Sequence, residues 1–105
     1  MEDVGEAILK CEGFEWDEGN SLKSWLKHQV SSLEAEQIFL NQPLIVGEDE
    51  WHSQDEERFF TLGKTEKKRL LFVCFTLRGK LIRVISARDM NRKESEVYRK
   101  HEKTT

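Results

Sequence analysis

The stretch KRLLFVCFTLRGKLIRVISAR, residues 68–88, decides the fold, because it reads as two strands joined by a tight turn. Its segment LLFVCF, residues 70–75, is apolar at every position, which is typical of a central strand covered on both faces. The link LRGK is short and contains Gly79, and glycine suits a tight hairpin turn. We therefore predict a β-hairpin whose first strand lies in the middle of a sheet.

Other strands are predicted on the N-terminal side of this hairpin. ERFFTLGKT, residues 57–65, directly precedes it, and PLIVG, residues 43–47, is a short strand further upstream. The polar and acidic segment VGEDEWHSQDEE, residues 46–57, connects the two. Near the N-terminus, FEW at residues 14–16 reads as one more short strand.

A helix is predicted directly after the FEW strand. Asp17 is a good N-cap for a helix over about residues 18–28. Three apolar residues recur at helical spacing in this helix, and we expect them to be buried: Leu22, Trp25 and Leu26. Residues 1–12 are a helical or frayed lead-in.

Capping residues indicate two further helices. Ser31, with Glu34 three residues later, forms the capping box of a helix over about residues 32–40. Asn91, with Glu94 three residues later, begins the last helix. The resulting order is β-α-α-β-β-β-β-α, which predicts an α+β fold with helices packed on an antiparallel sheet.

Length and composition point to a single domain over residues 1–105. The chain is 37 % hydrophobic and 35 % charged, and no apolar run approaches membrane-spanning length. Its N-terminus has neither the basic start nor the long apolar segment of a secretory signal. The cysteines, Cys11 and Cys74, do not form a ligand pair by spacing, and Cys74 is expected to be buried filler. We therefore expect a cytoplasmic protein with reduced thiols.

Charge is distributed unevenly along the chain. Residues 1–57 hold three Lys/Arg against fifteen Asp/Glu, whereas residues 58–105 hold fourteen against five. An acidic half beside a basic half indicates either an anionic partner for the basic face or mutual neutralisation of the halves in the fold. Charge alone does not separate these two interpretations.

No recognisable metal or nucleophile motif occurs in the sequence. The histidines His28, His52 and His101 have no companion at ligand spacing, and the acidic connection lacks the ligand order of a calcium loop. There is no Gly-rich phosphate loop and no Gly-x-Ser-x-Gly elbow. We expect no metal and no cofactor.

Several cations are candidate functional residues. Lys27 and His28 close the first long helix. Either they are there because the helix dipole favours cations at a C-terminus, or they have a function and move a proton near neutral pH. Arg83 interrupts an apolar strand, so it either pairs with a carboxylate or grips an oxyanion bidentately. Arg58 and Arg88 would converge with it on a phosphate. In the last helix, the stripe of Arg92, Ser95 and Arg99 is either solvated or a further phosphate contact.

Taken in order, four parts of the chain resemble the BrnT-type toxins of bacterial type II toxin–antitoxin systems. These parts are FEWDEGN, KHQVS with EAEQIF, HSQDEERFFTLG and IRVISARDMNRKESEVY, which together span about residues 14–98. The resemblance implies a RelE-like fold and a metal-independent endoribonuclease that arrests translation and growth. It also implies a BrnA-like ribbon-helix-helix antitoxin, two toxins assembled with two antitoxins, and contact with operator DNA only through the antitoxin.

Ten residues match the family pattern at the corresponding positions: Lys27, His28, His52, Glu57, Arg58, Arg83, Ser86, Arg88, Glu94 and Tyr98. Residue chemistry assigns Arg83 and Arg88 to the scissile phosphate, with Arg58 and Arg92 as further RNA contacts. Lys27 or His28 serves as proton mover or charge stabiliser. The remaining candidates have an acid–base or a structural role: His52, Glu57, Glu94 and Tyr98.

Three positions depart from the family pattern. Ser24 stands where asparagine is expected, Gln29 where glycine is usual, and Ser95 where arginine often follows Glu94. A homologue that binds the antitoxin and regulates the operon without cleaving RNA therefore stays open as an alternative. A small DNA-binding regulator is a second rival.

Overall fold

A computed structural model of the protein describes residues 3–49 and 56–104. Its strands are β1 (Gly13–Trp16), β2 (Ile45–Glu48), β3 (Phe59–Lys64), β4 (Leu70–Arg78) and β5 (Leu81–Asp89). Its helices are α1 (Val4–Leu9), α2 (Glu18–His28), α3 (Ser32–Gln37) and α4 (Arg92–Thr104), with a 3₁₀ turn at Ile38–Leu40 after α3. Within the described ranges, no helix is long and apolar enough to cross a membrane.

The predicted hairpin and helix starts are confirmed. β4 pairs with β5 in antiparallel register, and Gly79 in the turn has a φ of +58°. The sheet order is β1-β5-β4-β3-β2, so β4 occupies the central position. Asp17 caps α2 by accepting hydrogen bonds from the first helical N–H groups, and Ser31 and Glu34 form the expected capping box of α3.

The sheet is mixed rather than antiparallel throughout. β1 runs parallel to β5, from the Gly13–Leu81 pair to the Trp16–Val84 pair, while the other neighbours are antiparallel. The α+β class is confirmed, but the prediction of an antiparallel sheet is wrong for β1. The reason is that a strand's direction depends on the edge that it joins, which a local apolar pattern does not encode. The predicted element order also lacks α1, although a helical lead-in is one of the two alternatives for residues 1–12.

Side chains of β4 alternate between two unequal faces of the sheet. Leu71, Val73 and Phe75 are fully buried on one face, which we call the core face. Phe72 and Cys74 point to the other face, which we call the open face, and they are only half-buried. The prediction of cover on both faces is therefore wrong for the open face. Over the described residues the packing there comes from α4, which covers only part of the sheet.

The apolar stripe of α2 is exposed, which contradicts the prediction that it is buried. Leu22, Trp25 and Leu26 have relative exposures of 58 %, 48 % and 67 %. The helix instead packs on β5 through the buried Ser24, whose Oγ accepts a hydrogen bond of 3.2 Å from the N–H of Ala87. β1 pairs with β5 only as far as Val84, so this N–H needs another acceptor. Periodicity shows which side of a helix is apolar, not whether the same chain covers it.

A Leu22→Ser, Leu26→Ser double variant is expected to change the free energy of unfolding by less than about 1 kcal/mol, because both side chains are exposed. The control is Ile38→Ala, which truncates a fully buried side chain and is expected to cost about 2–5 kcal/mol. Urea unfolding followed by circular dichroism measures both. A loss above about 2 kcal/mol in the double variant would show that the stripe packs within the monomer.

Candidate functional site

β5 carries a bulge between Val84 and Ser86. On β4, Cys74 pairs with Ser86 but the next residue, Phe75, pairs with Val84, so the pairing skips Ile85. Bulges re-aim neighbouring side chains and are common beside active sites. Ser86 and Ile85 consequently line a cleft between β5 and α2.

This α2 cleft has a volume of about 270 Å³ and a basic wall. Its lining from α2 consists of Asn20, Lys23, Ser24, Lys27 and His28. Two of the predicted site residues, Lys27 and His28, are therefore brought together with Ser86. The positive charge of His28 also contributes, after the hydrogen bonds from Arg69, to lowering the pKa of Asp89 at the end of β5.

The open face of the sheet presents two adjacent rows of side chains. Arg88, Phe72 and Leu62 occupy one row, as register partners on β5, β4 and β3. Ser86, Cys74 and Phe60 occupy the next row. Ser86 thus belongs both to this face and to the α2 cleft, and it joins the two into one candidate site.

Arg88 is held in place by a bidentate ion pair with Glu94. Its Nη1 and Nη2 lie 2.8 Å and 2.9 Å from the two carboxylate oxygens of Glu94, and its Cζ lies 4.1 Å from the ring centre of Phe72. The ion pair raises the pKa of Arg88 and lowers the pKa of Glu94. Glu94 also accepts from the N–H of Asn91, while its own N–H donates to Asn91 Oδ1, which confirms the predicted cap of α4.

Arg83 is paired with carboxylates of the chain itself. Its Nη1 lies 3.0 Å from Glu15, its register partner on β1, and its Nη2 lies 3.6 Å from Asp17. Its side chain is 20 % exposed. Of the two sequence interpretations of Arg83, the structure shows the ion pair.

Arg58 and Arg88 both act on the thiol of Cys74. Burial raises the pKa of Cys74, and the charges of Arg88 and Arg58 oppose this shift only in part. The thiol therefore stays protonated near neutral pH. Glu57, next to Arg58, is exposed, and its carbonyl oxygen accepts a 2.6 Å hydrogen bond from Thr76. His52 lies outside the described residues.

The two remaining candidates, Arg92 and Tyr98, lie on α4. The side chain of Arg92 is 94 % exposed and is 3.4 Å from Glu96. Tyr98 is fully buried, and its hydroxyl donates a 2.6 Å hydrogen bond to the carbonyl of Pro43. Burial raises the pKa of Tyr98 to about 12. This position favours the structural role of Tyr98 over the acid–base role.

Sequence reasoning missed Arg69, which joins four parts of the fold. Its guanidinium donates to both carboxylate oxygens of Asp89, at 2.7 Å and 3.0 Å, and to Glu34 at 3.0 Å. It also donates to the carbonyls of Gln29 and His28, at 2.9 Å and 3.1 Å. Arg69 thereby anchors the end of α2 against β5. No local signal marks this residue, because its partners lie far away along the chain.

Sequence reasoning also missed Phe60, Phe72 and Cys74 as site residues. Phe72 and Cys74 lie in a segment that is apolar at every position and therefore predicts burial, whereas Phe60 lies in a predicted strand without a functional assignment. Their exposure follows from the sheet order and from how much of the open face α4 covers, and neither of these can be inferred from the apolar pattern alone.

Gln29 has a left-handed backbone, with a φ of 56° at the C-cap of α2. This conformation explains why glycine is usual there, since it costs a residue with a Cβ atom about 1–2 kcal/mol. A Gln29→Gly variant is expected to gain about 0.5–1 kcal/mol in the free energy of unfolding, because glycine's greater freedom in the unfolded chain offsets part of the relief. Lys23→Gly, within the same helix, is the control and should destabilise by about 1 kcal/mol. Thermal unfolding tests both variants. Equal losses of stability in the two variants would contradict the left-handed conformation of Gln29.

Comparison with known proteins decides the family. A family model described as the ribonuclease toxin BrnT of type II toxin–antitoxin systems matches residues 16–94. The chain belongs to the BrnT ribonuclease toxin family. The matched BrnT span runs from the end of β1 into the first turn of α4, so it contains both the α2 cleft and the open face.

A solved BrnT structure supports the fold. The crystal structure of the Brucella abortus ribonuclease toxin BrnT matches with a TM-score of 0.58 and 20 % sequence identity. The match covers 76 % of this chain and 97 % of that chain. No curated protein matches the chain at a significant level.

Proposed function

We propose that this BrnT family member is a metal-independent endoribonuclease with a RelE-like fold, which cleaves RNA and so inhibits translation and growth. The observation that carries the proposal is the junction at Ser86. There the basic α2 cleft, with Lys27 and His28, meets the open face that holds Arg88. Proton-transfer groups and phosphate-binding groups are thus adjacent, as RNA cleavage requires.

RNA cleavage without a metal has three chemical needs. The 2′-hydroxyl must lose a proton, the charge on the scissile phosphate must be stabilised, and the 5′-oxygen must gain a proton. Imidazole is the side chain best suited to move a proton near neutral pH, so His28 accepts the proton of the 2′-hydroxyl, and the imidazolium that forms donates a proton to the departing 5′-oxygen. Lys27, in the same cleft, stabilises charge on the phosphate.

Arg88 is the main phosphate ligand in this proposal. It lies on the open face next to Ser86, and Glu94 fixes the orientation of its guanidinium. Arg83 is secondary, because two carboxylates, Glu15 and Asp17, lie beside it and because it does not line the α2 cleft, whereas Arg88 lies next to the Ser86 row of the open face. Arg58 assists beside Cys74, and the exposed Arg92 contacts the RNA backbone.

A type II toxin family implies an antitoxin partner. We propose that the partner is a ribbon-helix-helix protein, that two copies of each protein assemble, and that operator DNA is bound only through the antitoxin. The exposed apolar side chains of α2 support a protein partner on this side, because exposed apolar surface commonly marks an interface.

Incubating the purified protein with end-labelled RNA, with and without EDTA, tests the ribonuclease. Cleavage is expected in both conditions, and RNA lacking the 2′-hydroxyl at the cut position should stay intact. A His28→Ala variant should lose about 100-fold in rate, whereas His101→Ala on α4 should cleave like the original protein. Complete loss of cleavage on chelation would contradict the metal-free mechanism.

A non-catalytic antitoxin-binding module is the second candidate. It is favoured by the ion pairs that already engage Arg83 and Arg88, and by Gln29 at a position typical of glycine. It predicts antitoxin binding and operon repression without RNA cleavage. Growth arrest on expression without the antitoxin would exclude it.

A further inference from the structure

Two phenylalanines lie side by side on the open face. The ring centres of Phe60 and Phe72 are 5.7 Å apart, and the ring planes differ by only 8°. The guanidinium of Arg88 lies over the ring of Phe72, with Cζ 4.1 Å from its centre. A cation and two parallel aromatic rings are therefore adjacent on one surface.

These rings line a groove between the sheet and the start of α4. The groove has a volume of about 340 Å³ and a mainly apolar lining. Phe60, Leu62, Phe72 and Val97 supply the apolar part, and Lys93 adds a cation. A planar heterocycle attached to a phosphate would satisfy both the apolar walls and the cations at the groove's edge.

Gly47 sets the orientation of the Phe60 ring. A Cβ atom at Gly47 would lie 2.5 Å from Phe60 Cζ, so the ring rests directly on the glycine backbone of β2. Phe60 is also the register partner of Gly47. With the strand backbone on one side and Phe72 on another, the ring is held in place before any ligand arrives.

We propose that Phe60 and Phe72 form a stacking platform for a nucleobase of single-stranded RNA, with the adjoining phosphate on Arg88. Aromatic residues on an open β-sheet surface bind unpaired bases in general, because every base has a π face. A base of a duplex is already stacked and is not available to the platform. The ligand's identity as RNA rests on the proposed function, while the platform rests on the ring geometry.

A fluorescein-labelled RNA octamer with 2′-O-methyl riboses is the probe, because it is resistant to cleavage through the 2′-hydroxyl. Fluorescence anisotropy gives its affinity for the full chain. Phe60→Leu and Phe72→Leu, which keep apolar bulk but remove the ring, are each expected to weaken binding about tenfold. Phe72→Tyr keeps the ring and should bind like the original protein.

Phe14→Leu is the matched control, since Phe14 is a half-buried phenylalanine packed against the core. It should bind the probe within about twofold of the original protein, because base stacking alone supplies the tenfold effect. The original protein should bind an octamer with abasic positions more weakly than it binds the complete octamer. The original protein and Phe72→Leu should have the same affinity for this abasic octamer. Thermal melts show which variants are folded.

If the folded Phe60→Leu and Phe72→Leu variants bind the probe with the same affinity as the original protein, the platform is overturned. It is also overturned if the original protein binds duplex RNA as tightly as it binds the single-stranded probe. Cleavage assays on ordinary RNA separate this outcome from the fate of the proposed function. Phenylalanine-dependent binding without cleavage supports the platform and rejects the ribonuclease. Cleavage of RNA, together with an affinity that does not depend on the two phenylalanines, supports the ribonuclease and rejects the platform.

Discussion

An Arg88→Ala variant is expected to cleave RNA about 100-fold more slowly than the original protein, since removing one preformed donor to developing charge typically costs 10²–10³-fold. The guanidinium lies on the open face beside Ser86 and Phe72, where the scissile phosphate would sit. Single-turnover cleavage of labelled RNA measures the effect. Undiminished cleavage by a combined Arg83→Ala, Arg88→Ala variant would remove both arginines from the phosphate site.

Two single substitutions serve as controls for charge. Arg99→Ala removes an exposed cation of α4 that lines neither the α2 cleft nor the groove beside Phe72, so cleavage should change by less than about twofold. Arg83→Ala should cost less than about tenfold, because Glu15 and Asp17 already neutralise that guanidinium. An equal loss at Arg83 and Arg88 would contradict their ranking.

Glu94→Gln separates the two roles of Glu94. The variant keeps an acceptor for capping α4 but releases Arg88 from its ion pair, so RNA should bind more tightly. Unchanged RNA affinity would show that the ion pair with Glu94 does not restrain Arg88.

Arg69→Met is expected to lower the free energy of unfolding by about 2 kcal/mol, because five hydrogen bonds are lost at a partly exposed site. The substitution leaves the carboxylates of Asp89 and Glu34, and the carbonyls at the end of α2, without their donor. Since the same bonds hold His28 near β5, RNA cleavage should also fall under conditions where the variant is folded. Urea unfolding measures the stability.

Arg78→Met is the matched control for stability. Arg78 is half-exposed, and its carboxylate partners lie 3.6 Å and 4.0 Å away, so its loss should cost less than about 1 kcal/mol. Equal costs at Arg69 and Arg78 would show that the network around Arg69 does not stabilise the fold.

Acid pH tests the same network. Hydrogen bonds from Arg69 lower the pKa of Asp89; for Glu34, burial raises the pKa, but hydrogen bonds from Ser31 and Arg69 outweigh it. A carboxyl with a lowered pKa in the folded state stabilises the protein above its ordinary pKa and loses this contribution as the pH falls through the folded value. Stability should therefore decline below about pH 4, and Arg69→Met should decline less steeply.

Features that depend on neighbouring residues could be predicted from the sequence. Asp17, Ser31 and Asn91 cap helices because their side chains reach N–H groups two or three positions away. Gly79 makes the β4–β5 hairpin turn because glycine readily adopts a positive φ, which is also a local property. The ordered motifs around Lys27, His28 and Arg88 also indicated the BrnT family, which the family model then showed.

The way in which these elements meet could not be predicted locally and depends on the folded chain. Three features depend on which surfaces the chain covers. They are the parallel direction of β1, the exposure of the α2 stripe and the incomplete cover of the open face at Phe72. Arg69 connects residues 20 to 41 positions away, and Ser86 becomes the junction of the site only through the β5 bulge. Spacing and capping act over a few residues, whereas burial and ion pairing depend on contacts between distant parts of the chain.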